Sequence, residues 1–138
     1  MPQNDPKLKK ILVVDDDEMH NEILEVAFHR EGFQVCRAGD GKEALTIATS
    51  EKPDLITMDI MMPVMNGSEA IRGLRENGLG AIPVIVISAH EYYTPSKEEG
   101  AIVGQPNVVD IIRKPVVIKR LVQRVHEILQ TAASGNGA

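Results

Sequence analysis

At four separated points the chain places a polar or charged side chain directly after an apolar run. KILVV at 10–14 runs into Asp15, Asp16, Asp17 and Glu18, and DLITM at 54–58 runs into Asp59. PVIVIS at 83–88 ends on Ser88, and NVVDII at 107–112 leads to Arg113, Lys114 and Pro115. Asp15, Asp16 and Asp59, brought within several ångströms of one another, would repel, which raises a pKa or calls for a cation. A hard divalent ion meets that demand, since Mg²⁺ takes one or two carboxylates and keeps waters or phosphate oxygens. Lys114 adds a compact positive charge and Ser88 a rotatable hydroxyl, so the set is suited to holding phosphoryl oxygens against the metal. A carboxylate in such a place can act as the nucleophile and form an aspartyl-phosphate.

The elements that must position these residues follow from hydrophobic pattern. KILVV reads as a strand buried on both faces. Residues 17–31 read as a helix capped by Asp17, with Ile23, Ala27 and Phe28 on its inner stripe and Gly32 ending it. FQVCR at 33–37 is a second strand, and 41–51 a helix burying Ala44, Leu45 and Ala48, stopped before Pro53. DLITM is the third strand, and 67–76 a helix through Ala70, Ile71 and Leu74. PVIVIS is the fourth strand and NVVDII the fifth. Residues 116–131 close as an amphipathic helix through Ile118, Leu121, Val122, Val125 and Ile128/Leu129. Strands alternating with helices predict an α/β fold, a parallel sheet covered on both faces with right-handed crossovers. Ligands of such sheets collect at the carboxyl ends of the strands, where the four polar points lie.

Bulk properties bound the rest. A chain of 138 residues points to one domain, and without Trp and with only two Tyr and two Phe its core must be aliphatic. A net charge of −5 argues against nucleic acid as the main partner of this domain. The lone Cys36 cannot form an internal disulfide and reads as a small apolar strand residue. No signal-peptide-like or membrane-spanning run is present, so a cytoplasmic location without membrane contact is the expectation. The ends, 1–8 and 132–138, read as flexible flanks around a domain at 9–131, the second as a tail or the start of a linker.

Taken together, ILVVDDDE, DLITMDIMMPVMNG, VIVISA and IRKP resemble the receiver domain of bacterial response regulators, over nearly the whole stretch from Lys10 to Gln130. The resemblance implies a doubly wound, flavodoxin-like five-stranded parallel sheet of order 2-1-3-4-5 with helices on both faces. It implies Asp59 as phosphoacceptor, Asp15 and Asp16 as the acidic pair for Mg²⁺, and the backbone carbonyl of Met61 as a further metal ligand. Ser88 matches the hydroxyl that shifts toward the phosphoryl group, and Lys114 the lysine that pairs with its oxygens. Pro115 matches a proline that often follows a cis bond. The implied donor is a phosphohistidine on a histidine kinase or phosphotransfer protein. The implied output is altered binding to a downstream protein or effector domain, with a homodimer as a further form. Such a protein speeds transfer onto its own Asp59 and its own dephosphorylation but is not an enzyme acting on a small-molecule substrate.

Two departures from the family pattern stand out. Ile111 occupies the position three before the lysine where the family commonly has an aromatic, and an aliphatic chain cannot make the same aromatic swing. The stretch 91–110 holds Pro95, Gly100, Gly104 and Pro106, which predicts an irregular fourth helix, shortened, displaced or mobile, and a longer loop before the last strand. Rival readings remain. Asp15-x-Asp17 imitates the nucleophile motif of haloacid-dehalogenase-like phosphatases, with Asp15 attacking, although the chain lacks a cap insertion and a second downstream acidic cluster. A non-phosphorylated adaptor of the same fold is the other. No glycine-rich phosphate loop follows the first strand, which speaks against a flavin or nucleotide. The methionines at 58, 61, 62 and 65 read as packing, His20, His29, His90 and His126 as surface histidines, and Lys119, Arg120 and Arg124 as a solvated face.

Overall fold

Five apolar runs form the sheet: β1 (Lys10–Val14), β2 (Gln34–Ala38), β3 (Leu55–Asp59), β4 (Val84–Ser88) and β5 (Val108–Arg113). They pair in parallel in the order β2-β1-β3-β4-β5. Among the described residues the helices are α1 (Glu18–Arg30), α2 (Gly41–Glu51), α3 (Gly67–Glu76) and α4 (Ile118–Gly137). The computed structural model describes residues 8–60, 65–88 and 104–137. Met61 and the stretch 89–103, on which the irregular fourth helix was expected, lie outside the described residues. Among the described residues no helix is long and apolar enough to cross a membrane.

Alternation along the strands divides the core in two. Leu12, Val14, Ile56, Met58, Val84 and Val86 point to one face, where Ala44 and Ala48 of α2 and Ala70, Ile71 and Leu74 of α3 cover them. Ile11, Val13, Leu55, Ile85 and Ile87 point to the other, under Leu24 and Phe28 of α1 and Leu121, Val125 and Leu129 of α4. β1, β3 and β4 are buried on both sides, which is why they run almost wholly apolar up to their polar ends, the buried Thr57 of β3 being the exception. Each such side chain contributes about 1.5–3 kcal/mol by leaving water.

Most expected elements hold, with β2 and β5 each moved on by one residue from 33–37 and 107–112, and with three further differences. β3 reaches Asp59, so the acid is the last residue of the strand rather than the first beyond it. The inner stripe of α1 is Asn21, Leu24 and Phe28, whereas Ile23 is 48% exposed and Ala27 half-buried. A buried amide sets that rotation: Asn21 Nδ2 donates to the carbonyls of Asp15 and Ala38 at 2.8 and 3.1 Å. The last helix begins at Ile118 and its backbone continues to Gly137, past residue 131 where the apolar pattern ends. Arg124, expected on a solvated face, donates from Nε to Asp110 Oδ2 of β5 at 2.7 Å, which gives that acid a partner. His126 is not simply solvated either: Nε2 lies 2.9 Å from Glu31 Oε1 and the ring packs on Phe33.

The turn after β3 is anchored by Gly67, the first residue of α3, whose N–H donates to the Ile60 carbonyl at 2.8 Å. A Cβ there would sit 2.8 Å from both the Asp59 carbonyl oxygen and Ile60 Cα, backbone atoms that cannot swing aside. Asn66 precedes it with a full capping box closed by Glu69. Gly67→Ala should therefore lower stability by about 1–3 kcal/mol, the usual size of an overpacking cost. Urea unfolding measures it, and an unchanged midpoint would show that the turn yields freely.

Candidate metal and phosphoryl site

Sheet register brings the polar strand ends to one edge. Val14 pairs with Met58, so Asp15 and Asp59 emerge side by side from β1 and β3. Asp59 pairs with Ile87, one residue short of Ser88, and Ser88 pairs with Arg113, one residue short of Lys114. The Lys114 N–H then donates to the Ser88 carbonyl at 2.7 Å, and the Lys114–Pro115 peptide is cis.

The carboxylates converge. Asp15, Asp16 and Asp59 each offer an oxygen, and these oxygens lie within 4.8 Å of one another. Asp15 and Asp59 are buried while Asp16 is exposed, so the cluster is open to solvent on one side. Lys114 Nζ lies 3.5 Å from Asp15 Oδ2 and 3.5 Å from Asp59 Oδ2, bridging the two strands. Ser88, also buried, ends β4 at the same edge. Three carboxylates facing one ammonium leave an excess of negative charge, a donor set that suits a hard divalent ion with room for further oxygen ligands.

Asp15 is held on both oxygens. Burial opposes its charge, but the Asp17 N–H at 2.9 Å on Oδ1, the His20 ring on Oδ2 and the Lys114 charge outweigh burial and hold its carboxyl below the usual range. Asp17 has a different task. It is the N-cap of α1, and its Oδ1 accepts from the Met19 and His20 amides at 3.0 and 3.3 Å. With Asp17 occupied as a cap, the Asp15-x-Asp17 phosphatase motif loses its second acid.

The sequence reading put His20 on the surface; in the structure it is a neighbour of the site. Its Nδ1 lies 2.5 Å from Asp15 Oδ2, and its side chain is only 20% exposed. The signal was in the spacing: His20 is the third residue of a helix capped at Asp17. Helical side chains tilt toward the N-terminus, so a residue there reaches back over the loop that precedes it.

Comparison with known proteins agrees with the geometry. Residues 11–126 match the family model described as the response regulator receiver domain. The chain is 33% identical over 129 residues to the response regulator MprA of Mycolicibacterium vanbaalenii, covering 94% of this chain and 54% of that protein. It is 37% identical to the alkaline phosphatase synthesis transcriptional regulatory protein PhoP of Bacillus subtilis, covering 88% and 49%. The chain thus spans about half the length of these curated relatives. Among solved structures, a Francisella response regulator receiver domain superposes with a TM-score of 0.77 at 31% identity, covering 90% of this chain and 98% of that one. A receiver domain protein of Methanospirillum hungatei gives 0.82 at 25%, covering 94% and 99%.

Crowded like charges predict a measurable strain without metal. Asp59→Asn removes one of three carboxylates that face one another across the cluster and should raise the unfolding midpoint in chelator. Thermal unfolding tests this; a lower midpoint would show that Asp59 is held by attraction rather than crowded by repulsion.

Proposed function

Because this chain belongs to the response-regulator receiver family, we propose that Asp59 is its phosphoacceptor, taking a phosphoryl group from a phosphohistidine on a histidine kinase or phosphotransfer protein. The family role is that of a receiver domain in two-component signalling, a protein whose state is read by others rather than one that turns over a metabolite. The observation that carries the assignment to Asp59 is its placement: a buried carboxylate at the end of a rigid central strand, 3.5 Å from Lys114 and clustered with Asp15 and Asp16.

In the transfer an Asp59 carboxylate oxygen attacks phosphorus, the P–N bond to the donor imidazole breaks, and that imidazole leaves with the bonding pair. Lys114 turns from the two carboxylates it bridges to the phosphoryl oxygens, exchanging one set of charge-assisted contacts for another. The Ser88 hydroxyl, at the end of the neighbouring strand, donates to a phosphoryl oxygen. Asp15, Asp16 and Asp59 would hold Mg²⁺, with the Met61 carbonyl as a further ligand. When bound, Mg²⁺ neutralises charge on the phosphoryl oxygens.

Residues 9–131 form the receiver unit in this reading, and 1–8 and 132–138 its flanks. The phosphorylated unit signals by changed contacts with a downstream protein or effector segment, and a second copy of the chain is one such contact. We place this exchange in the cytoplasm. The Mycobacterium tuberculosis relative, at 35% identity, carries the name DNA-binding response regulator MtrA. Since the match covers only 53% of that protein, we assign no DNA contact to the receiver unit itself. Ile111 packs half-buried against the α2/α3 side of the core, an aliphatic side chain that cannot make the aromatic swing common in the family.

The test is intact mass after treatment with acetyl phosphate. Wild-type chain should gain one phosphoryl group only with Mg²⁺, and Asp59→Asn should gain none. Persistent labelling of that variant would defeat the assignment, and phosphate release from a phosphomonoester that is lost in Asp15→Asn would restore the phosphatase alternative.

A further inference from the structure

A short contact at the carboxyl edge belongs to a residue that the proposed transfer does not use. His20 Nδ1 lies 2.5 Å from Asp15 Oδ2. An ionised carboxylate only accepts, so the proton of this bond sits on Nδ1. The other oxygen, Oδ1, takes the Asp17 N–H at 2.9 Å. Asp15 is therefore pinned at both ends and cannot turn about its terminal torsion, which is otherwise soft, without losing one of the two bonds.

His20 is itself held in place. The Asp17 carboxylate accepts its backbone N–H, and the adjoining Asn21 is buried with its amide fixed between the carbonyls of Asp15 and Ala38. The histidine thus sits on a helix start that is tied to both β1 and the end of β2. Lys114 also touches Asp15 Oδ2, but at 3.5 Å and shared with Asp59. A phosphoryl group on Asp59 would draw Lys114 away and leave Asp15 with fewer partners at the moment its position matters.

We propose that His20 is a positioning residue for the divalent-ion site. Its Nδ1–H fixes the Asp15 carboxylate so that the remaining lone pairs face the cation, and it keeps that carboxylate in place when Lys114 turns to the phosphoryl group. The proposal rests on the reading of Asp15 and Asp16 as metal ligands. Hydrogen-bond partners one step behind a metal ligand are commonly worth about 10–100-fold in metal affinity.

The test is calorimetric titration of the full chain with Mg²⁺ and with Mn²⁺, alongside thermal unfolding in chelator. His20→Leu fills similar space without a donor. His20→Asn places an amide N–H where Nδ1 lies along the side chain. The expected result is an affinity about 10-fold weaker or more for His20→Leu, recovered to near the wild-type value in His20→Asn, with both variants unfolding cooperatively in chelator. Should His20→Leu fail to fold, His20→Ala makes the same comparison against His20→Asn. Unchanged or tighter binding in the donor-free variant overturns the proposal, as does a His20→Asn no better than it, which would make the effect one of packing. Wild-type chain that binds no divalent ion, or binds it as well after Asp16→Asn, sinks the metal reading and the proposal with it. Binding that Asp16→Asn abolishes but the donor-free variant retains sinks only the role of His20.

Discussion

Three carboxylates drawn within 4.8 Å of each other around one ammonium group set the problem that the rest of the fold must solve. Like charges at that spacing push apart, and burial of Asp15 and Asp59 sharpens the push because water no longer screens them. Nothing local could hold them. Asp15 and Asp59 lie 44 residues apart in sequence, and Lys114 another 55 beyond. The constraint is met by backbone: β1, β3, β4 and β5 are locked in a parallel ladder that delivers the strand ends to one edge whatever their side chains prefer. That ladder is stabilised by aliphatic burial on both faces, so the charged edge is carried by a core that does not share its chemistry.

The same separation explains what the amino-acid pattern revealed. Strands buried on both faces, such as KILVV and PVIVIS, are continuous apolar runs, and the residue that follows such a run must lie at the sheet's carboxyl edge. Asp15, Asp59 and Ser88 were legible for that reason, before any contact was known, whereas Lys114 follows a half-buried strand that Asp110 interrupts and stood out through its place in IRKP. The cap role of Asp17 was legible too, since an acid before an amphipathic run has a local partner in the first helical amides. What could not be read was the phase of α1. Ile23 looks like a core residue and Asn21 does not, yet Asn21 faces in because two backbone carbonyls from different strands need its amide. A polar residue turned inward by long-range carbonyls breaks the apolar pattern that periodicity relies on.

His20 was missed through the same blind spot. Its partner is five residues away in sequence, but the bond exists only if the helix begins at Glu18 with the rotation that buries Leu24 and Phe28. The Asp17 cap fixes the start, the Asn21 amide fixes the rotation, and together they aim the third helical side chain back at Asp15. The helix cap, the buried amide and the histidine are therefore parts of one device. Any change that advanced or delayed the start of α1 by one residue would turn Asn21 from its carbonyls and His20 from Asp15 together.

That coupling has a consequence for how the site behaves. Asp15 is gripped by the backbone amide of Asp17 and the ring of His20, both carried on the α1 start, whereas Lys114 arrives from β5 on the far side of β3 and β4. The acidic edge thus has one fixed side and one side that can let go. The Lys114 N–H donates to the Ser88 carbonyl at 2.7 Å, so the backbone that carries the lysine is tied to the end of β4 and not to the start of α1. The lysine side of the site is thus continuous with the paired strands β4 and β5, on which Ile111 packs against the core.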